Sequence, residues 1–175
     1  MAVRSHTKLT DILKWAGWAS GIDSDIYGSF HTGDAAKILS IARYWVATDG
    51  NTLPRIESWQ NMHNLPYPHD ISEDVYSDLF KLVGCNEDGV QRYFMCRAAM
   101  LAKNPVIALD STTISTYSEN QIEARQGFSK EKNGLDIIKL ITLYSVKDHE
   151  LIAFAKQSGN IPDVISVENT LAQMK

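Results

Sequence analysis

Asp110 is the residue whose type and setting point most directly to chemistry. It follows Val106-Ile107-Ala108-Leu109, a short unbroken apolar run of the kind that forms a strand buried on both faces. The strand is expected to end at the acid. Open sheets commonly present reacting groups at the C-terminal ends of their strands. Ser111, Thr112 and Thr113 come next, and hydroxyls beside an acid orient it or cap the chain as it leaves the strand. The competing reading is that Asp110 only opens a turn, a frequent role for Asp.

Lys130 and Lys132, with Arg125 nearby, form the best cationic patch. Such side chains hold nucleic-acid phosphates without reading bases. Glu123, Glu131 and Asp136 offset them, so an ordinary solvated loop is the alternative. His63 and His69 flank a proline-rich turn, but no cysteine or acid completes a zinc-ligand spacing around them. Cys85 and Cys96 read as small buried hydrophobes rather than ligands or a bridge. Trp15, Trp18, Trp45 and Trp59 read as helix-packing residues. A helix-turn-helix between Ser72 and Leu101 is disfavoured, because its second helix sets only Arg92 and Arg97 against Glu87 and Asp88.

Charge and composition narrow the classes. Seventeen Lys and Arg stand against 21 Asp and Glu, for a net charge of -4. The pI is about 5.7, so the basic excess of an autonomous nucleic-acid binder is missing. No apolar run reaches the roughly 20 residues of a membrane span, so no membrane partner is expected. The N-terminus lacks the apolar core of a secretory signal. A reduced, cytoplasmic setting is expected.

The elements that must position these residues divide the chain in two. Residues 1–104 are expected to form a helical domain. Thr10 should cap a short helix with Ile12, Leu13 and Ala16 on one face, and 21–34 reads as a Gly-, Asp- and Ser-rich connector. Ile38, Ile41, Ala42 and Trp45 recur at helical spacing until Asp49-Gly50. Pro54 suits a first turn, and Ser72 followed by Glu73 and Asp74 marks a helix start, with Gly84 as its stop. Asn86 should open the next helix, burying Val90, Phe94, Ala98 and Leu101. Beyond Pro105 the texture becomes that of strands: 106–109, then 137–144, a turn at 147–150 and a return at 151–155. Residues 158–163 read as a loop and Ser166 as a helix cap. The fold class is therefore α+β.

Four segments occur in order: ALDSTT (108–113), GFSKEKNGLD (127–136), an apolar hairpin, and SGNIPDV (158–164). Together they resemble the DDE transposases of the bacterial insertion-sequence superfamily numbered four, closely over residues 105–175 and loosely before that. Proteins of that family carry a strand ending in Asp-x-Thr, a Gly-aromatic-Ser-Lys segment and a Gly-Asn-x-x-Asp loop. The resemblance implies that 105–175 is a truncated ribonuclease H-like catalytic domain, with three antiparallel strands and one helix. It implies that Asp110 is the first catalytic aspartate and a ligand to Mg²⁺, which takes hard oxygen donors. Two such ions support in-line phosphoryl displacement, here strand cleavage and transfer during transposition. Thr112, Thr113, Asn160 and Asp163 take supporting positions, and the partners are insertion-sequence ends and target DNA. The family's second aspartate and its glutamate have no match in these residues, so the chain alone is expected to be inactive. Self-association, or pairing with a full-length transposase, then becomes a further expectation. The alternatives are a non-catalytic remnant or regulator, and a helical interaction module with an appended hairpin.

Overall fold

The computed structural model describes residues 7–101, 106–118, 120–127 and 134–162, together with positions 165 and 168. The chain is α+β: helices occupy its first part and a three-stranded antiparallel sheet follows. It divides into two compact units, Met1–Tyr93 and Phe94–Lys175.

The first unit contains α1 (Thr7–Ala19), α2 (Ile22–Ser29), α3 (Thr32–Thr48), a 3₁₀ turn at Leu53–Arg55, α4 (Ile56–Gln60), α5 (Glu73–Cys85) and the start of α6 (Glu87–Leu101). The expected connector at 21–34 is instead α2 and the first turn of α3. Its polar composition hides two helical signals. Asp23 and Asp25 occupy the first turn of α2, where the helix dipole favours negative charge. Ile22 and Ile26, one turn apart, gather with Phe30, Ala35 and Leu39 in one core cluster. Asp23 also pairs with Arg43 of α3 at 2.6 Å.

A second cluster joins Ile41 and Tyr44 of α3 to Ile56, Ile71 and Leu79, with Trp59, Tyr67 and Val75 against it. Backbone-directed hydrogen bonds pin the irregular segment between α4 and α5. The amide of Tyr67 donates to the hydroxyl of buried Ser40 at 2.9 Å, and the amide of Ile71 donates to Oε1 of Gln60 at 3.2 Å. The Tyr44 hydroxyl donates to the Thr52 carbonyl at 2.7 Å.

Helix ends follow the sequence in part. Asp49 caps α3 in the left-handed region at φ 54°, followed by Gly50 at φ 78°. Asn86 caps α6, its Oδ1 accepting the amide of Gly89 at 2.9 Å. Ser72 does precede α5, but its hydroxyl makes no capping bond, and α5 runs through Gly84 to Cys85. Thr10 lies buried inside α1 rather than at its cap. Cys85 is exposed, contrary to its expected burial. The tryptophans also split. Trp59 packs edge-on to Tyr44 at 5.6 Å and Trp45 stacks on Phe80 at 6.3 Å, whereas Trp15 and Trp18 face outward.

In the second unit, β1 (Ile107–Thr116), β2 (Asp136–Ser145) and β3 (Glu150–Ser158) lie in the order β1-β2-β3, each antiparallel to its neighbour. The β-branched run Ile137-Ile138 to Ile141-Thr142 suits the central strand. A bulge at Ile152 shifts the β2–β3 register between Leu143 and Tyr144. Leu143, Ile152 and Ala153 form the core of this unit, with Leu109, Phe94 and Ala98 against them. Arg97, almost fully buried, forms an ion pair with Glu150 at the start of β3.

At the far end of β2, residues 123–127 lie alongside Ile137. Arg125 and Ile137 exchange both backbone hydrogen bonds, and the Gly159 amide donates to the Glu123 carbonyl. A Cβ on Gly159 would stand 2.1 Å from the Ile137 carbonyl oxygen, and one on Gly127 would stand 2.1 Å from that of Gly159. Only glycines permit this approach.

Candidate functional site

Asp110 lies in the middle of β1, paired with Thr142, and not at the strand's end. The correction has a clear cause. Thr112, Thr113, Ile114 and Thr116 are β-branched, and the strand continues through them because each finds a partner on β2. Nor is the apolar run before Asp110 buried on both faces. Among the described residues β1 has a strand neighbour on one side only, and Val106, Ile107 and Ala108 are exposed.

Strand parity fixes which side chains share a face with the acid. Asp110 and Thr112 stand on one face with Thr142 and Tyr144 of β2. The Asp110 side chain is exposed there, on the same face as Thr112 and Thr142. The Thr142 hydroxyl reaches the Asp110 carbonyl at 3.4 Å. Thr113 falls on the opposite face, in register with buried Lys139, and cannot assist Asp110 directly. The Lys139 ammonium donates to the Ile161 carbonyl at 2.6 Å.

The other expected residues gather elsewhere. Arg125 is held by its bridge to Ile137, and its guanidinium donates to the Ala124 carbonyl at 2.6 Å. Asn160 is exposed, its Oδ1 accepting the Ser158 hydroxyl at 2.8 Å. Both therefore belong to the Ile137 end of β2. With about 3.3 Å of rise per residue, that end is roughly 16 Å from Thr142 along the strand. Arg125 and Asn160 come together; Asp110 stands apart from them. Lys130, Lys132 and Asp163 lie outside the described residues, as do Ser166 and the helix expected after it.

One further charge pair marks the Arg125 end. Lys156 meets Glu123 at 2.9 Å. The hydrogen bond from Lys156 holds the Glu123 carboxyl below its ordinary range, with a backbone hydrogen bond and Arg125 adding to the effect.

The remaining candidates have structural roles. His63 stacks on Trp59 at 3.8 Å with Nδ1 2.9 Å from the Trp59 carbonyl, and His69 meets the edge of Tyr67 at 5.3 Å. No group of three or more His, Cys, Asp or Glu among the described residues is placed to hold a metal. Arg92 donates to the Ser29 carbonyl at 3.0 Å and Arg97 is paired with Glu150. The two cations of α6 are thus engaged within the protein, which argues against a DNA-reading helix. No described helix is long and apolar enough to cross a membrane.

Nothing local in the residues marks Thr142 and Tyr144 as neighbours of Asp110. Their only signal is register: once Asp110 pairs with Thr142, parity puts both on its face. Compared with family models, with curated proteins and with solved structures, the chain has no match.

Proposed function

We propose that residues from Val106 onward are the opening of a ribonuclease H-like strand-transfer domain of the DDE type, and that Asp110 is its first metal-binding carboxylate. The observation that supports this reading best is the exposed Asp110 carboxylate at the centre of an edge strand, with hydroxyls on the same face. That donor set is made of hard oxygens and suits Mg²⁺. A strand-transfer site of this type uses such ions to polarise a scissile phosphate and generate its nucleophile. One carboxylate does not hold two ions, so further acids must join Asp110 before catalysis, and residues 1–175 alone should not cleave DNA. Among the described residues the outer edge of β1 pairs with no other strand and offers a place for an added one.

DNA contact in this reading falls to Arg125, Lys130 and Lys132, with Asn160 in support. Reversing Lys130 and Lys132 should weaken duplex binding and flatten its salt dependence, because each lost phosphate contact releases fewer counterions.

Paramagnetic broadening tests the metal assignment. Submillimolar Mn²⁺ should broaden the amide signals of Asp110, Thr112 and Thr142 before those of other exposed carboxylates, and Asp110→Asn should abolish that preference. Uniform broadening across the surface acids would reject the reading, as would Mg²⁺-dependent cleavage that survives Asp110→Asn.

A non-catalytic partner of a larger recombinase is the second reading. Arg92 and Arg97 of α6 favour it, since both are engaged within the protein and not turned toward a nucleic acid. Abundant binding to a full-length transposase, unchanged by Asp110→Asn, would separate it from the first.

A further inference from the structure

α1 turns its larger apolar side chains away from the protein. Leu9, Thr10, Leu13 and Gly17 form the side turned inward. Gly17 lies so close to α2 that a Cβ there would stand 2.2 Å from the Asp23 carboxylate. The opposite side carries Ile12, Trp15 and Trp18, exposed by 62%, 65% and 74%. Ala16 and Ala19 are exposed beside them, with Lys8 and Asp11 on the same side. Helical spacing places all of these on one broad stripe.

We infer that this stripe is an isologous interface, and that its occupant is α1 of a second copy of the chain. Area is the first argument. A tryptophan has about 150–250 Å² to bury, so the stripe offers roughly 400 Å² of apolar surface. Two stripes together approach the ~1,000 Å² that a specific interface requires. Shape is the second. Large indoles alternate with alanines, and such a surface fits its own twofold copy because each ring finds a recess on the other helix.

Charge selects the direction. In an antiparallel pair centred between Leu13 and Lys14, Ile12 of each copy meets Trp15 of the other. The same register sets Lys8 against the last turn of the facing helix. That turn has no basic residue of its own, and its carbonyls favour a cation. A parallel pair would instead set Lys8 beside Lys8. The interface depends only on the first unit, so it stands whether or not Asp110 binds a metal.

Sedimentation equilibrium of the whole 175-residue protein decides the matter. The wild type should dimerise in the micromolar range. Trp15→Ser combined with Trp18→Ser should weaken the dimer at least tenfold, and Ile12→Asp should do the same. Far-ultraviolet circular dichroism should stay unchanged in both variants, because these side chains are exposed. Spin labels on Ala19→Cys should lie about a helix length apart in the antiparallel dimer. A wild type that stays monomeric at 200 µM (~0.2 mM, where an interface this size holds) would overturn the inference. So would dimers indifferent to these substitutions, or labels in close contact. Loss of vesicle or DNA binding in the variants of a monomeric protein would assign the stripe to another occupant and overturn it equally.

Discussion

The guanidinium of Arg97 closes on the carboxylate of Glu150, joining the last turns of α6 to the first residue of β3. The two ends are unequal: the Arg97 side chain is 1% exposed and that of Glu150 27%. Removing one member of a buried pair is damaging mainly because it strands the other charge away from water.

The inequality sets an order of effects. Glu150→Gln removes the carboxylate that faces the deeply buried cation and should cost about 3–5 kcal/mol. Arg97→Met fills the same space without charge and leaves Glu150 partly in water, so it should cost less. Urea denaturation of the two variants measures this. A larger loss for Arg97→Met would mean that packing of the arginine stem, and not the ion pair, holds α6 to the hairpin.

Gly159 should tolerate no side chain. In Gly159→Ala the new methyl would meet the Ile137 and Arg125 carbonyl oxygens, at 2.1 and 2.7 Å. Backbone must move, at a cost of about 1–3 kcal/mol. By contrast, Gly84→Ala in α5 meets nothing within 4 Å and should stabilise by up to about 1 kcal/mol. Thermal melts of the two alanine variants should shift in opposite directions.

Ser40 is fully buried and its hydroxyl accepts the Tyr67 amide. Ser40→Ala should leave that amide without a partner and destabilise by about 1–3 kcal/mol. Faster amide exchange at Tyr67, with little change at Ile137, is the accompanying signature. Unchanged exchange at Tyr67 would show that the segment is held by its apolar contacts alone.

The Glu123 carboxyl titrates below its ordinary value because Lys156 donates to it. A depressed folded-state value contributes stability above the unfolded value and loses it as pH falls through the folded one. Lys156→Met should therefore raise the Glu123 midpoint toward normal in a carbon-13 titration. Any stability difference between the variants should be present at neutral pH and vanish in acid. Because the pair is largely exposed, that difference should be small. A midpoint unmoved by Lys156→Met would assign the shift to the backbone instead.

The parts of the fold that could be read from sequence are those with local causes. The left-handed close of α3 was visible in Asp49-Gly50, the start of α6 in Asn86, and the central strand in Ile137 to Tyr144. Features set by distant partners were not visible. Ser111 to Thr116 carry no apolar alternation, yet β2 holds them in a strand. α2 was hidden because Asp23, Ser24 and Asp25 resemble a loop until Ile26 and Phe30 are seen to share a core. The burial of Arg97 has no local sign, since the acid that pairs with it comes much later in the chain. Asp110 was singled out by residue type alone, and its place within the strand and its face-mates were legible only from register.

The extra residue at Ile152 decides which way the hairpin's first residues point. With it, Glu150 stands opposite Ser145 and Leu151 opposite Tyr144, while Ile152 and Ala153 are both buried. Were Ile152 paired instead of bulged, the pairing that holds from Ser158 back to Ala153 would continue, and Leu151 would take the place opposite Ser145. The carboxylate would then turn outward and a leucine would confront the guanidinium. The bulge thus sets the polarity of the hairpin's first residues, and flattening it with Ile152 retained would be felt on α6, whereas deleting Ile152 would leave Glu150 opposite Ser145.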